Sequence, residues 1–269
     1  MSITTISYGG GVQSTAMLVL AAQGRLGYDI DAALFANVGD DSEHPSTLQY
    51  VRNVAMPFAR EHGIPLHELY AVDEYSRPRT LWNLLWEENT PSIPVRLGEG
   101  GIPANRSCTK HFKVKVVGKW LNSQGATKSN PATVCIGIST DEIARANSKR
   151  AQPNELAVFP LLELGLSRAD CLGVISRAGL PIPSKSSCFF CPYKRLAHWA
   201  EMRRDEPELF ERSAQLEDSI NERRTQRGKD QVYLTRLGKP LRVAISSAQD
   251  ELPMSGPDVE TCDEGHCWT

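Results

Sequence analysis

Cys188 and Cys191, in SSCFFCPYK at 186–194, stand three positions apart, a spacing that lets two thiolates converge on one metal or cluster. Alone, such a pair is equally a zinc half-site or a thiol redox couple. A second cysteine segment, NRSCTKHFKVKVV at 105–117, puts Cys108 ahead of a cationic helix whose first turn can bind an anion. A third is the tail VETCDEGHCWT, with Cys262, His266 and Cys267 in a short polar stretch. Cys135 and Cys171 fall inside an apolar strand and an amphipathic helix, where packing is the simpler reading.

The other chemistry-bearing stretch is the start. ITTISYGGGVQSTAMLVLAAQG, from Ile3 to Gly24, reads as a strand, a glycine turn and an apolar helix. Gly9, Gly10 and Gly11 allow the backbone to approach a ligand closely. The helix beginning near Ser14 aims free N–H groups and its positive end at the same place. Ser7, Gln13, Ser14 and Thr15 complete the candidate phosphate-binding set, although Ser14 also suits an ordinary N-cap. Beyond the second strand, Asn37 to Glu43 lie where a nucleotide edge or a metal would be met; Asp40, Asp41 and Glu43 equally suit the dipole of the following helix. Asp141, Glu142 and Arg145 follow the fourth strand, with a helical ion pair as the plain alternative.

Strand-like segments at 2–7, 30–36, 65–71 and 133–138 alternate with helical patterns at 14–24, 45–62 and 110–123, the rhythm of a parallel α/β sheet. A doubly wound, Rossmann-like sheet follows, with its ligand at the carboxyl ends of the strands. The stretch from Tyr75 to Pro103 reads as a loop and short helix over the site. Leu156 to Leu162 supplies a fifth strand, and helices follow at 167–178, 194–204 and 207–226. The boundary between a nucleotide-binding domain, 1–165, and a helical cysteine-containing region, 166–269, falls near 165.

The 269 residues, 41% hydrophobic and 23% charged, suffice for a full core. The longest apolar run, Ala16 to Ala22, is too short to cross a bilayer, and the first residues enter a strand with no basic or cleavable leader; the expectation is a cytoplasmic protein with no membrane partner. Seven cysteines then argue for metal, cluster or redox roles rather than a disulfide framework. The net charge of −2 carries no global nucleic-acid signature. Locally, however, the interval from Gly100 to Thr140 has no Asp or Glu while holding Arg106, Lys110, Lys113, Lys115, Lys119 and Lys128. That pattern suits either a solvated face or one wall of a polyanion site. Arg203, Arg204, Arg223, Arg224 and Arg227 are interspersed with acids and read as solvated surface.

GGGVQS resembles the SGGxDS loop of the PP-loop ATP pyrophosphatases, with Gly9 for the first serine and Gln13 for the aspartate. The region after the second strand is similar to that of the sulfonucleotide reductases, the CTKHFK stretch resembles the first cysteine segment of adenylylsulfate reductases, and SSCFFCPYK resembles their second cysteine pair. Thr109 stands where their second cysteine would be. In the same order, the tail resembles the ECGLH ending, with one residue more between Cys262 and His266.

The resemblance, to PP-loop adenine nucleotide α-hydrolases of the phosphoadenylylsulfate-reductase-like kind, implies ATP or a related adenine nucleotide on Gly9–Thr15, Mg²⁺, and Asn37 at the adenine or ribose edge. It implies Lys113 and Arg145 as cations on the transferred group, and a 4Fe-4S cluster on Cys108, Cys188 and Cys191, with Cys267 as fourth ligand. Zinc is the alternative metal. The implied activity is adenylation of an acceptor, a nucleic acid, a nucleobase or a small molecule, followed by sulfur transfer. The alternatives are sulfonucleotide reduction with Cys262 as nucleophile, or a zinc-containing nucleic-acid-binding module. The sulfur donor and the oligomeric state are left open, a homodimer being admissible.

Overall fold

The computed structural model describes residues 2–87, 93–98, 107–146 and 152–248. Five strands, β1 (Thr4–Ser7), β2 (Ala32–Asn37), β3 (Leu66–Tyr70), β5 (Ala132–Ile136) and β6 (Glu155–Val158), form a parallel sheet in the order β3-β2-β1-β5-β6. The register runs Thr5 against Ala32 on one side and Thr5 against Val134 on the other. β2 is buried along its whole length, as its AALFAN sequence requires of a strand covered on both faces. The remaining strands, β4 (Arg96–Leu97) and β7 (Val232–Tyr233), pair antiparallel far along the chain.

One face of the sheet carries the helix Val12–Ala22, the helical run from Pro45 to Glu61 and the helix Arg168–Arg177. Met17, Leu18, Phe35, Val51, Cys171 and Ile175 pack there with essentially no exposure. The other face is covered by the helix that begins at Ser107 and ends at Ser123, through Val117 and Leu121 against Ala32, Leu34 and Val134. The doubly wound α/β architecture is therefore as the alternation of patterns implies. Cys171, Val174 and Ile175 pack in the same core as the first helix, so this layer includes the helix Arg168–Arg177.

A third core lies beyond the carboxyl ends of the strands. Leu81, Leu85, Trp199, Phe210 and Leu216 fill it from the helices Leu81–Glu87, Leu196–Asp205 and Pro207–Thr225, joined by Val38 just after β2 and by Phe189 and Phe190 from the loop between the cysteines. Glu217 ties this part together: its carboxylate accepts the N–H groups of Leu234 and Leu241, each at 2.6 Å, and anchors the end of β7 and the start of the helix Leu241–Ala248. Burial outweighs those two bonds and pushes its pKa up to about 7. Neither the long-range β4–β7 pair nor this last helix is visible in the sequence pattern. No helix among the described residues is long and apolar enough to cross a membrane.

Candidate nucleotide crevice and thiol cavity

In the strand order, β1 is the point from which the chain winds outward in both directions, so the crevice beyond β1 and β5 is the topological switch point. The glycine turn occupies it. The first helix starts at Val12, two residues earlier than the sequence suggests, with Gly11 as N-cap. Ser14 is accordingly not the cap; its hydroxyl donates to the Gly11 carbonyl at 3.1 Å, and Thr15 N–H bonds the same carbonyl at 3.0 Å. The N–H groups of Val12, Gln13 and Ser14 are the helix's unpaired first donors. Gly10 has a φ of 75°, and a Cβ there would lie 2.9 Å from the Thr47 methyl. Gly9 faces open space. Thr15 is buried and shares a 3.1 Å hydrogen bond with the Tyr8 hydroxyl. Ser7, 4% exposed at the end of β1, has a buried hydroxyl with no protein partner among the described residues.

A polar chain crosses the crevice. Arg168 donates to Gln13 Oε1 at 3.2 Å, Gln13 donates to Glu142 Oε2 at 3.4 Å, and Glu142 pairs with Arg145 at 2.5 Å. Arg168 was not anticipated from the sequence, because it opens a helix 155 positions from Gln13. Its capping box, Ser167 with Asp170, sets where that helix starts and hence where the guanidinium reaches. Gly137, just past β5, supports the turn from below: a Cβ there would stand 3.2 Å from Ser14 N.

Asn37 is placed differently from the expectation of a nucleotide contact. It is fully buried, its Oδ1 accepts Gly39 N–H at 2.7 Å, and its Nδ2 donates to Asp40 and Glu68 at 2.8 and 2.7 Å. Arg52 joins both carboxylates at 2.7 Å and holds Asp40 well below the usual carboxylate range. With these partners its amide shapes the 38–43 loop.

That loop receives the cysteine pair. His44 N–H bonds Ser187 O at 3.1 Å, Phe189 N–H bonds Ser42 O at 3.2 Å, and Glu43 and Cys188 form an antiparallel bridge. Cys191 N–H returns to Cys188 O at 3.2 Å, closing the turn. Phe189 and Phe190, the two residues between the cysteines, anchor it in the third core beside Trp82, with ring centroids 5.4 and 5.5 Å away. Arg212 caps Trp82 and Phe189 at 4.8 and 4.9 Å.

Cys108, Cys188 and Cys191 line one small cavity of about 40 Å³, together with Lys113, Thr109 and Tyr193. Lys113 stands 4.0 Å from the buried Glu43 carboxylate. Burial, followed by Glu43, raises the Cys188 thiol well above its ordinary range. Lys113 thus belongs to the thiol cavity and Arg145 to the nucleotide crevice. The two sites adjoin: a Cβ on Gly11 would lie 3.1 Å from the Ser186 hydroxyl, two residues before Cys188. Cys135 and Cys171 are fully buried in the sheet core with thiols pushed up to about 12 by burial. Cys262 and Cys267 lie outside the described residues. Of the outlying arginines, Arg204 pairs with Asp205 at 2.7 Å, and Arg223 donates to the Leu85 and Trp86 carbonyls at 2.6 Å, as structural contacts do.

No protein-family profile matches the chain, and no curated protein is similar to it by sequence. Among solved structures, the U34-tRNA thiolase NcsA from Methanococcus maripaludis, with its 4Fe-4S cluster, matches 98% of this chain and 80% of that chain at 14% identity and a TM-score of 0.44. A likeness of that degree assigns neither family nor chemistry, and the reading of the site rests on its own geometry.

Proposed function

We propose that the chain is a PP-loop-type enzyme that adenylates an acceptor with ATP and then replaces the activated oxygen with sulfur, using an iron–sulfur cluster on Cys108, Cys188 and Cys191. The observation that carries this reading is the gathering of three thiols from distant segments around one cavity, beside a glycine turn at the switch point of the sheet that meets Ser186, two residues before Cys188.

Among the described residues, no three His, Cys, Asp or Glu side chains are gathered tightly enough to hold one ion. A single tetrahedral zinc needs its sulfurs within about 4 Å of one another. Thiols set around a cavity suit a cluster of several irons better, and all-thiolate donors suit iron–sulfur chemistry. Such a cluster, held by three thiolates, supplies an open iron at which sulfur can be carried.

In the adenylation step the acceptor oxygen forms a bond to the α-phosphorus of ATP as the bond to pyrophosphate breaks. The Val12, Gln13 and Ser14 N–H groups and the dipole of the first helix hold the phosphates. Arg168 fixes Gln13, and Arg145 sits beside Glu142 where charge on the leaving group is to be offset. Gln13 supplies no carboxylate for Mg²⁺; Glu142, whose Oε2 lies 3.4 Å from the Gln13 amide, is a carboxylate that would meet a metal arriving on the nucleotide. A sulfur nucleophile then forms a C–S bond and AMP leaves with the acceptor's former oxygen. Lys113, facing the thiols, balances negative charge there.

Anaerobic purification followed by iron and zinc analysis, and incubation with ATP and Mg²⁺ while AMP and pyrophosphate are measured, test this reading. Iron with broad visible absorbance and AMP formation are expected. Stoichiometric zinc without iron, or sulfite release from a sulfonucleotide without ATP cleavage, would overturn it.

A further inference from the structure

The helix from Ser107 to Ser123 presents three different faces. Val117 and Leu121 pack on the sheet, while Cys108, Thr109 and Lys113 face the thiol cavity. The third face, His111, Lys115 and Lys119, borders a cleft of about 700 Å³ that neither site above uses. Its opposite wall is the end of β3 and the segment after it, including Tyr70 and Arg79.

Lys115 and Lys119 are exposed and one turn apart, about 6 Å along the axis, comparable to the separation of neighbouring phosphates on a single strand. Among the described residues no acidic side chain lines the cleft, and the sequence from Gly100 to Thr140 contains none, although the protein as a whole carries a net charge of −2. The positive potential is therefore local to this face. Aromatic surface is interleaved with the cations: Trp120, tilted on His67 at 5.2 Å, and Tyr70 both line the cleft. The cationic row covers more than two helical turns, longer than one nucleotide needs, and its amino end at Ser107 adjoins Cys108.

We propose that this cleft seats a single-stranded segment of nucleic acid, with phosphates along Lys115, Lys119 and Arg79 and bases against Tyr70 and Trp120, so that the strand leads toward the thiol cavity. This deepens the proposed function by naming the acceptor class, and it rests on that reading for the direction of the strand. The binding itself stands on the cleft.

The test is fluorescence anisotropy of the full chain with labelled single-stranded RNA and DNA of about 12 nucleotides, a length such grooves span, across a salt series. Binding is expected, with Lys115→Gln/Lys119→Gln weakening it at least about tenfold and reducing the salt slope by about 0.7 for each charge removed. Lys115→Arg/Lys119→Arg should restore affinity, and Lys128→Gln, on an exposed turn outside the cleft, should leave it unchanged. Unchanged affinity in the double Gln variant, or equal displacement by ATP or by an acidic peptide, would overturn the proposal. Iron content and AMP formation measured on the same preparations separate the two readings. AMP formation without strand binding sinks the cleft alone, and strand binding without iron or AMP formation sinks the enzyme reading alone.

Discussion

The nucleotide crevice and the thiol cavity are neighbours built on opposite plans. The crevice is mostly local: seven consecutive residues, Gly9 to Thr15, furnish a turn and the first donors of a helix, so that in the proposed function main-chain geometry would do the binding. The cavity is assembled from the 38–43 loop, the start of the helix at Ser107 and the Cys188–Cys191 turn, which meet only because a third hydrophobic core draws them together. A site made of backbone tolerates change in most side chains but not in the turn. A site made of side chains from three segments fails when any one donor or its supporting core is lost.

The sharpest way to break this contrast is to remove one thiol. Cys188→Ala is expected to abolish cluster binding, with iron falling to background and sulfur transfer lost. ATP binding, measured by calorimetry, should stay within about threefold, because the phosphates rest on a turn that does not need the cysteine. Full iron content in that variant would show that Cys188 is no ligand.

A second test uses the core under the cavity. Glu217 has a folded-state pKa of about 7, above the ordinary carboxylate value of 4.5, so between those two values the folded protein holds the proton more tightly than the unfolded chain. Stability of this half should accordingly fall as pH rises from about 4.5 to about 7, by about 3 kcal/mol, and level off on either side. Glu217→Gln should flatten that dependence, at a constant cost of about 1–3 kcal/mol because one of the two N–H donors meets an amide NH₂. Hydrogen exchange against pH resolves whether the loss is confined to the third core. An equal loss in the sheet would show that the two regions unfold as one.

On the crevice side, Gly10→Ala should cost about 2 kcal/mol, from the positive φ and the 2.9 Å approach to Thr47, and should weaken ATP binding while iron content is kept. Urea unfolding alongside calorimetry reads both. The smallest effect is expected from Arg168→Ala, which leaves the turn intact and frees Gln13; ATP affinity should drop about fivefold with stability changed by less than about 1 kcal/mol. A larger fall than in Gly10→Ala would mean that side chains, not the turn, dominate phosphate binding.

Much of this was readable in the chain itself. Alternating apolar segments dictate a parallel α/β sheet, since a strand like AALFAN can only be satisfied between two layers. The glycine run with the apolar helix after it dictates a phosphate-sized turn at the first crossover, and the CFFC spacing dictates paired thiols. These are properties of neighbours within a few residues, which local sterics and periodicity settle. The grouping of Cys108 with Cys188 and Cys191 was legible only through the order of the motifs in the resemblance; the tertiary structure supplies the shared cavity itself. It also decided that Arg168 reaches Gln13 and that the Asn37 amide bonds Asp40, Glu68 and Gly39. Each of these depends on contacts between segments far apart in sequence, fixed by strand order and core packing, for which no local pattern carries a signal.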